Sequence, residues 1–229
     1  SKELPSALQT LAKALLSGGR PAEAAVHFRA VYDTMLAAKA PKASDVWVEW
    51  VQALLAADDP AAIKAMAAQN EASVFLTANK ALSARLDALV TKQSYAPAIL
   101  LADKALESLA QRITDAQRKS LQTLLRDARL AQRDADRKKV AQLVGQLTAS
   151  DETARSKASG ELQVMGDRGV VPLIEILKSS IGDSQSDPRV AQAIIVVLKQ
   201  VAPKLTGYDP KASKDDQLTV IEGWLKARV

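Results

Sequence analysis

The sequence predicts an all-α fold, a solenoid of repeated helical hairpins, and three observations carry that reading. Apolar residues recur at three- and four-residue spacing in one segment after another. No run alternates apolar and polar residues between hairpin turns as a strand does. Glycine, proline and aspartate punctuate the segments, so consecutive helices are joined by short turns and lie antiparallel. Composition agrees: with 48% hydrophobic but 3% aromatic residues, the interior has to come from many close contacts between Ala- and Leu-rich helices.

In chain order, Leu8, Leu11, Leu15 and Leu16 form one helical stripe that stops at Gly18-Gly19, where glycine can take the left-handed conformation that ends a helix. Pro21 opens the next helix, because its missing N–H is an orphan in a first turn anyway. Ala24, Phe28 and Val31 continue the apolar side. The order Leu8, Leu11, Ala12, Leu15, Ala24, Phe28, Val31 resembles a tetratricopeptide repeat, a helix pair of about 34 residues in which small residues let the helices approach. A second copy puts Trp47, Trp50, Val51 and Leu54 in the first helix and, after a turn one residue shorter, Ala62 and Met66 in the second. A third, beginning at Lys80, places Leu82, Leu86, Leu89, Tyr95, Ala98, Ala102 and Ala105, and departs from the pattern at Arg85, where Leu is usual. The resemblance covers residues 4–112.

Thr114 to Gln117 reads as a capping box. It starts a helix with Leu121, Leu124, Leu125, Ala128, Ala131 and Ala135 on its apolar side, ending either near Asp136 or near Leu147. From there the chain resembles HEAT repeats, helix pairs with an Asp at the turn and an Arg early in the second helix. Val140, Leu143, Val144 and Leu147 fit a first helix; Asp151, Arg155, Ala158 and Leu162 fit its partner. Gly166-Asp167 separates these from Val171, Leu173, Ile174 and Leu177, followed by Val190, Ile194 and Leu198, with Ala191 where the repeat's Arg belongs. This resemblance covers about residues 137–203. Ser213 begins a last helix with Leu218, Ile221, Trp224 and Leu225, expected to cap the end of the stack. The expected division is 1–112 tetratricopeptide-like hairpins, 113–136 a linking helix with a basic face, and 137–229 HEAT-like hairpins with a capping helix.

Catalytic chemistry has little to draw on. There is no cysteine, and the single histidine, His27, lies among core positions of a helix. The glycines read as helix punctuation, not as a phosphate cradle. Asp58-Asp59, Asp151-Glu152 and Asp215-Asp216 fall at helix starts or turns, where negative charge complements the helix dipole and need not ligate a cation. No catalytic residue, cofactor or metal site is therefore expected, and the chain reads as a non-enzyme. No apolar run is long enough to span a bilayer, and compartment is unreadable from this sequence.

Charge is uneven: the formal surplus of +5 lies wholly within residues 81–149. On one helix Arg112, Lys119, Arg126, Arg133 and Arg137 would share a face opposite the leucines. Asp115–Lys119 and Asp134–Lys138 at i, i+4 make a solvated, ion-paired face the first reading. HEAT-like enzymes that remove alkylated bases from DNA line a groove with such residues, so a nucleic-acid-binding or glycosylase-type enzyme is the alternative function. The tetratricopeptide resemblance implies a protein-binding scaffold or adaptor whose partner lies against the first helix of each pair. Those positions are Gln9 and Lys13, then Asp45, Glu49 and Gln52, then Lys80, Ser83, Ala84 and Asp87. Glu49 and Ala84 stand where a carboxylate-gripping groove needs an amide and a base, so the expected partner is an internal, mixed-charge or helical segment. Far-ultraviolet circular dichroism should show a helix-dominated spectrum; a strand content near the globular average of about 20–25% would overturn the fold class.

Overall fold

The computed structural model describes residues 3–183 and 185–227, with the side chains of residues 3 and 4 left aside. Among the described residues there are eleven helices and no strand, and 79% of the chain is helical. The protein is an all-α helical-hairpin repeat. It divides into two compact units, residues 1–132 and 133–229.

The first unit opens with α1 (Glu3–Ser17) and α2 (Pro21–Ala37), followed by α3 (Ala43–Ala56), α4 (Ala61–Ala68), α5 (Ala72–Thr91) and α6 (Tyr95–Ser108). α2 begins at Pro21, as expected. Four of the reversals use one turn. Gly19, Lys39, Asp58 and Gln93 have φ of +74°, +51°, +57° and +57°. In each case the following N–H reaches back to the carbonyl five residues earlier: Arg20 to Leu15, Ala40 to Met35, Asp59 to Leu54, and Ser94 to Leu89, at 2.8–2.9 Å. This is the hydrogen bonding of a Schellman helix end. Only the first of the four carries the glycine that announces it in sequence.

Tight turns bring small residues into contact. Ala12, Ala24, Ala62, Ala98, Ala102 and Ala105 are fully buried, and Phe28, Val31, Trp47, Val51, Leu82, Leu86 and Leu89 fill the space around them. Two expectations need correction. Leu11 is 45% exposed, so it is not a core position. The third pair begins at Ala72 and not at Lys80, because Val74, Phe75 and Ala78 add two buried turns to its first helix. α4, at eight residues, is correspondingly short. Successive first helices are therefore unequally offset. Gln9 of α1 meets Glu49 of α3, 40 residues on; Ser44 and Asp58, at the two ends of α3, meet Glu71 and Arg85, each 27 residues on.

The capping box at Thr114 is present in full. The Thr114 N–H donates to Gln117 Oε1 at 2.9 Å and the Gln117 N–H to Thr114 Oγ1 at 3.2 Å. The helix it starts, α7 (Asp115–Leu147), does not end near Asp136. Leu121, Leu125 and Ala128 join the core of the first unit, and Val140, Leu143, Val144 and Leu147 that of the second.

The second unit continues with α8 (Glu152–Met165), α9 (Asp167–Gly182), α10 (Pro188–Val201) and α11 (Lys214–Lys226). Asp151, Asp187 and Ser213 cap α8, α10 and α11 with their side chains. From α7 to α10 the offset is even, whereas α9 meets α11 at 44 residues, Lys178 to Glu222. Arg137 meets Glu175, 38 residues on, and Gln163 meets Gln200, 37 residues on. Trp224 closes the core from α11, its Nε1–H donating to the Thr206 carbonyl at 3.1 Å.

A left-handed residue with a side chain costs roughly 1–2 kcal/mol relative to glycine, and part of any gain from glycine is returned as unfolded-chain entropy. Lys39→Gly and Gln93→Gly should therefore each raise unfolding stability by up to about 1 kcal/mol, and Gly19→Ala should lower it by about as much. Urea denaturation followed by circular dichroism checks all three; the turn assignment fails if the two glycine variants are both less stable.

Candidate functional site

The first helices of the three pairs present a continuous row of polar side chains. Glu49, on α3, is half-buried and held by two residues of α1: Gln9 Nε2 donates to its Oε2 at 2.7 Å, and Lys13 Nζ lies 2.9 Å from its Oε1. Three of the residues expected in the groove are thus brought together, with Glu49 already compensated by a cation. At the far end of α3, Arg85 of α5 lies 2.8 Å from Asp58 and donates to the Ala56 carbonyl at 3.2 Å. The residue that breaks the repeat pattern in sequence is therefore what caps α3 and fixes the offset of α5.

At the amino-terminal ends of α3 and α5, beside the Ser44–Glu71 contact, lies an open depression of ≈ 380 Å³, lined by Ser44, Asp45 and Val48 of α3 and Ser73, Val74 and Thr77 of α5. Its side chains are short, so the helix pair leaves space where α1 and α3 do not. Asp45 lines this space. Gln52, Lys80, Ser83, Ala84 and Asp87 are exposed. On α5, Ser73, Thr77, Lys80, Ala84 and Asp87 fall on one side at helical spacing. Ser73, Val74 and Thr77 have no counterpart in the sequence expectation, because α5 extends two turns ahead of its matched positions.

The basic face is largely dismantled. Arg112 is not on the long helix at all. It sits in the turn before α7, where its NH1 donates to the Met66 and Ala67 carbonyls at 2.8 and 3.1 Å, and its guanidinium lies 4.2 Å from the Phe75 ring centroid. That makes it the C-terminal cap of α4. Arg118 donates to the Ala110 carbonyl. Arg137 binds Glu175 through both Nε and NH2, at 3.1 and 2.9 Å, and the hydrogen bonds to that carboxylate push its pKa up. The two i, i+4 pairs are replaced: Asp115 faces Arg118 at 3.5 Å and Asp134 faces Arg137 at 3.9 Å. Arg126 pairs with neighbouring Asp127 at 3.0 Å. Lys119 and Arg133 are exposed with no ion-pair partner among the described residues.

Among the described residues, buried ionisable chemistry is confined to Asp136, 7% exposed, which holds Arg168 through both carboxylate oxygens. The pKa of Arg168 is raised by that hydrogen bond. His27 is half-buried on α2. Among the described residues no three His, Cys, Asp or Glu side chains are grouped to hold a metal, and no helix is long and apolar enough to cross a membrane. Trp47 is buried; Trp50 is half-buried, stacked on Tyr32 at 6.2 Å, with Arg29 4.5 Å from its ring centroid. That ring is occupied by the chain's own cation.

The fold and this face define a helical-repeat chain with an open polar surface along one row of helices. No family model matches the chain, and no curated protein matches it. Among solved structures, that of the UNC-45 chaperone, described as binding and folding muscle myosin, is similar over 98% of this chain, with 17% identity and a TM-score of 0.31. The chain spans 28% of that protein's length. A likeness at this TM-score adds nothing to what the helices themselves establish.

Lys119→Glu, Arg126→Glu and Arg133→Glu together should leave the chain folded and its partner bound, since these residues make no contact that holds the fold beyond Arg126 with its neighbour. Helicity and partner capture read side by side check this. Loss of capture with intact helicity would make the row a binding site.

Proposed function

We propose that this protein is a non-enzymatic, protein-binding scaffold or adaptor whose partner lies along the first helices of the hairpins in residues 1–112. The observation that carries the reading is the α1–α3–α5 row itself, tied at Gln9–Lys13–Glu49 and at Arg85–Asp58, with an open depression at the amino-terminal ends of α3 and α5. Helical-repeat proteins use such rows as extended binding surfaces. The partner segment is internal, of mixed charge or helical, because Lys13 is engaged by Glu49 and no free cluster of cations waits for a chain-terminal carboxylate. In this reading the helix pairs of 1–112 are tetratricopeptide-like and those of 137–229 HEAT-like, the even offset of about 37 residues from α7 to α10 being what favours the distinction.

The nucleic-acid reading loses its footing with Arg112 and Arg137, which are engaged with protein groups, and no observation favours it over a protein partner. A glycosylase needs a buried carboxylate free to act; Asp136 is bound to Arg168.

Two measurements test the proposal. Capture from an extract of the source organism should retain a protein through washes of rising salt, whereas nucleic acid held by phosphate contacts would be stripped. A labelled peptide from that partner should bind equally with a free or an amidated C-terminus; binding that vanished on amidation would overturn the internal-segment reading.

A further inference from the structure

The first unit pairs most of its described acids with cations. Eight ion pairs engage described acids between residues 1 and 132, and Asp59 accepts the Ala61 N–H at the start of α4. The acids left with no cationic partner among the described residues are Asp45, Asp59, Glu71 and Asp87; with Asp59 engaged by a backbone N–H, the other three belong to α3, the cap of α5, and α5.

Two of them border the depression. Asp45 lines it, and Glu71 accepts a hydrogen bond from Ser44 Oγ, another lining residue, at 2.9 Å. An acid near a helix N-terminus is ordinarily explained by the dipole. The dipole favours both acids here and still leaves room for a cation: Asp45 lies in the first turn of α3, and Glu71, the N-cap of α5, makes no side-chain cap hydrogen bond. Asp45 also stands one turn from Glu49, a like-charge spacing that disfavours both unless cations answer them. Lys13 answers Glu49; nothing in the described chain answers Asp45. The depression is of mixed character: Val48 and Val74 supply its apolar part, and Ser44, Asp45, Ser73 and Thr77 its polar part. Lys80, one turn beyond Thr77, bounds the acidic stretch.

We propose that the α3–α5 depression docks a lysine- or arginine-bearing segment of a partner protein. The cationic head meets Asp45 and Glu71, and the methylene stem lies over Val48 and Val74, the division of labour that long basic side chains favour. This rests on the reading that the α1–α3–α5 row holds a partner segment, and it names the chemistry that segment brings to this point.

The test uses the full chain and three amidated, acetylated helical peptides identical except that the charged positions are Lys, Gln or Glu. The Lys peptide should bind, more weakly as salt rises, and Asp45→Asn with Glu71→Gln should weaken it by about tenfold or more. Asp115→Asn, an acid 98% exposed on α7, should leave it unchanged. Ser73→Trp, which fills the depression, should abolish it, with helicity retained. If the Gln or Glu peptide binds as well as the Lys peptide and Ser73→Trp blocks it, the row holds partners but the charge assignment is overturned. If no peptide binds, or Ser73→Trp has no effect, both the assignment and the docking role of this face are overturned. Asp45→Asn alone gives the same discrimination should the double variant fold poorly.

Discussion

The first unit depends on a chain reversal completed within a few residues. An antiparallel helix pair can bury alanine against alanine only if the turn returns the chain at close range, and the turn used here requires one residue with positive φ. At Gly19 that residue costs nothing sterically: a side-chain β-carbon there would meet no atom within 4 Å, so backbone conformation alone selects glycine. At Lys39, Asp58 and Gln93 the chain accepts the strain, and surrounding hydrogen bonds hold it. Asp58 shows the compensation most directly, because the same residue that takes the left-handed conformation also receives Arg85. The turn therefore does more than reverse the chain; it supplies the anchor that sets the next first helix in register.

What sequence reading recovers and what it loses follow from this. Apolar periodicity is a property of single helices, and it placed α1, α2, α3, α6 and the helices of the second unit close to where they stand. The capping box at Thr114 and the caps at Asp151 and Ser213 are local chemistry and were equally legible. Register between helices is not local. The pattern of the third pair starts at Lys80 because its best repeat match starts there, yet α5 begins at Ala72, and only the packing of Val74, Phe75 and Ala78 shows it. The three turns without glycine were likewise unmarked, since lysine, aspartate and glutamine announce nothing about φ.

Arginine misleads in sequence for a related reason. A cation counted on a helical wheel looks like surface charge, but a guanidinium has donors enough to finish a helix whose last carbonyls lack partners. Arg85 and Arg112 do this at the Ala56 and at the Met66 and Ala67 carbonyls, and Arg118 and Arg155 likewise satisfy carbonyls of the turns just beyond α6 and α7, at Ala110 and at Ala149 and Ser150. Three of the four fall in the stretch that holds the whole basic surplus. The surplus is thus partly the cost of ending short helices with few glycines, and it shrinks as an argument for a polyanion partner accordingly.

The same accounting explains why attention falls on α3 and α5. The short α4 shortens the sequence offset between first helices from 40 residues to 27, and the amino-terminal turns of α3 and α5 lie side by side. Those turns carry serine, valine and threonine, too small to close the gap, together with carboxylates that no cation among the described residues answers. Between α1 and α3 the equivalent space is crossed by Gln9 and Lys13, whose long side chains reach Glu49. One pair of first helices is thus sealed by its own ions and the next is left open, and the difference lies in the length of the side chains that face the gap.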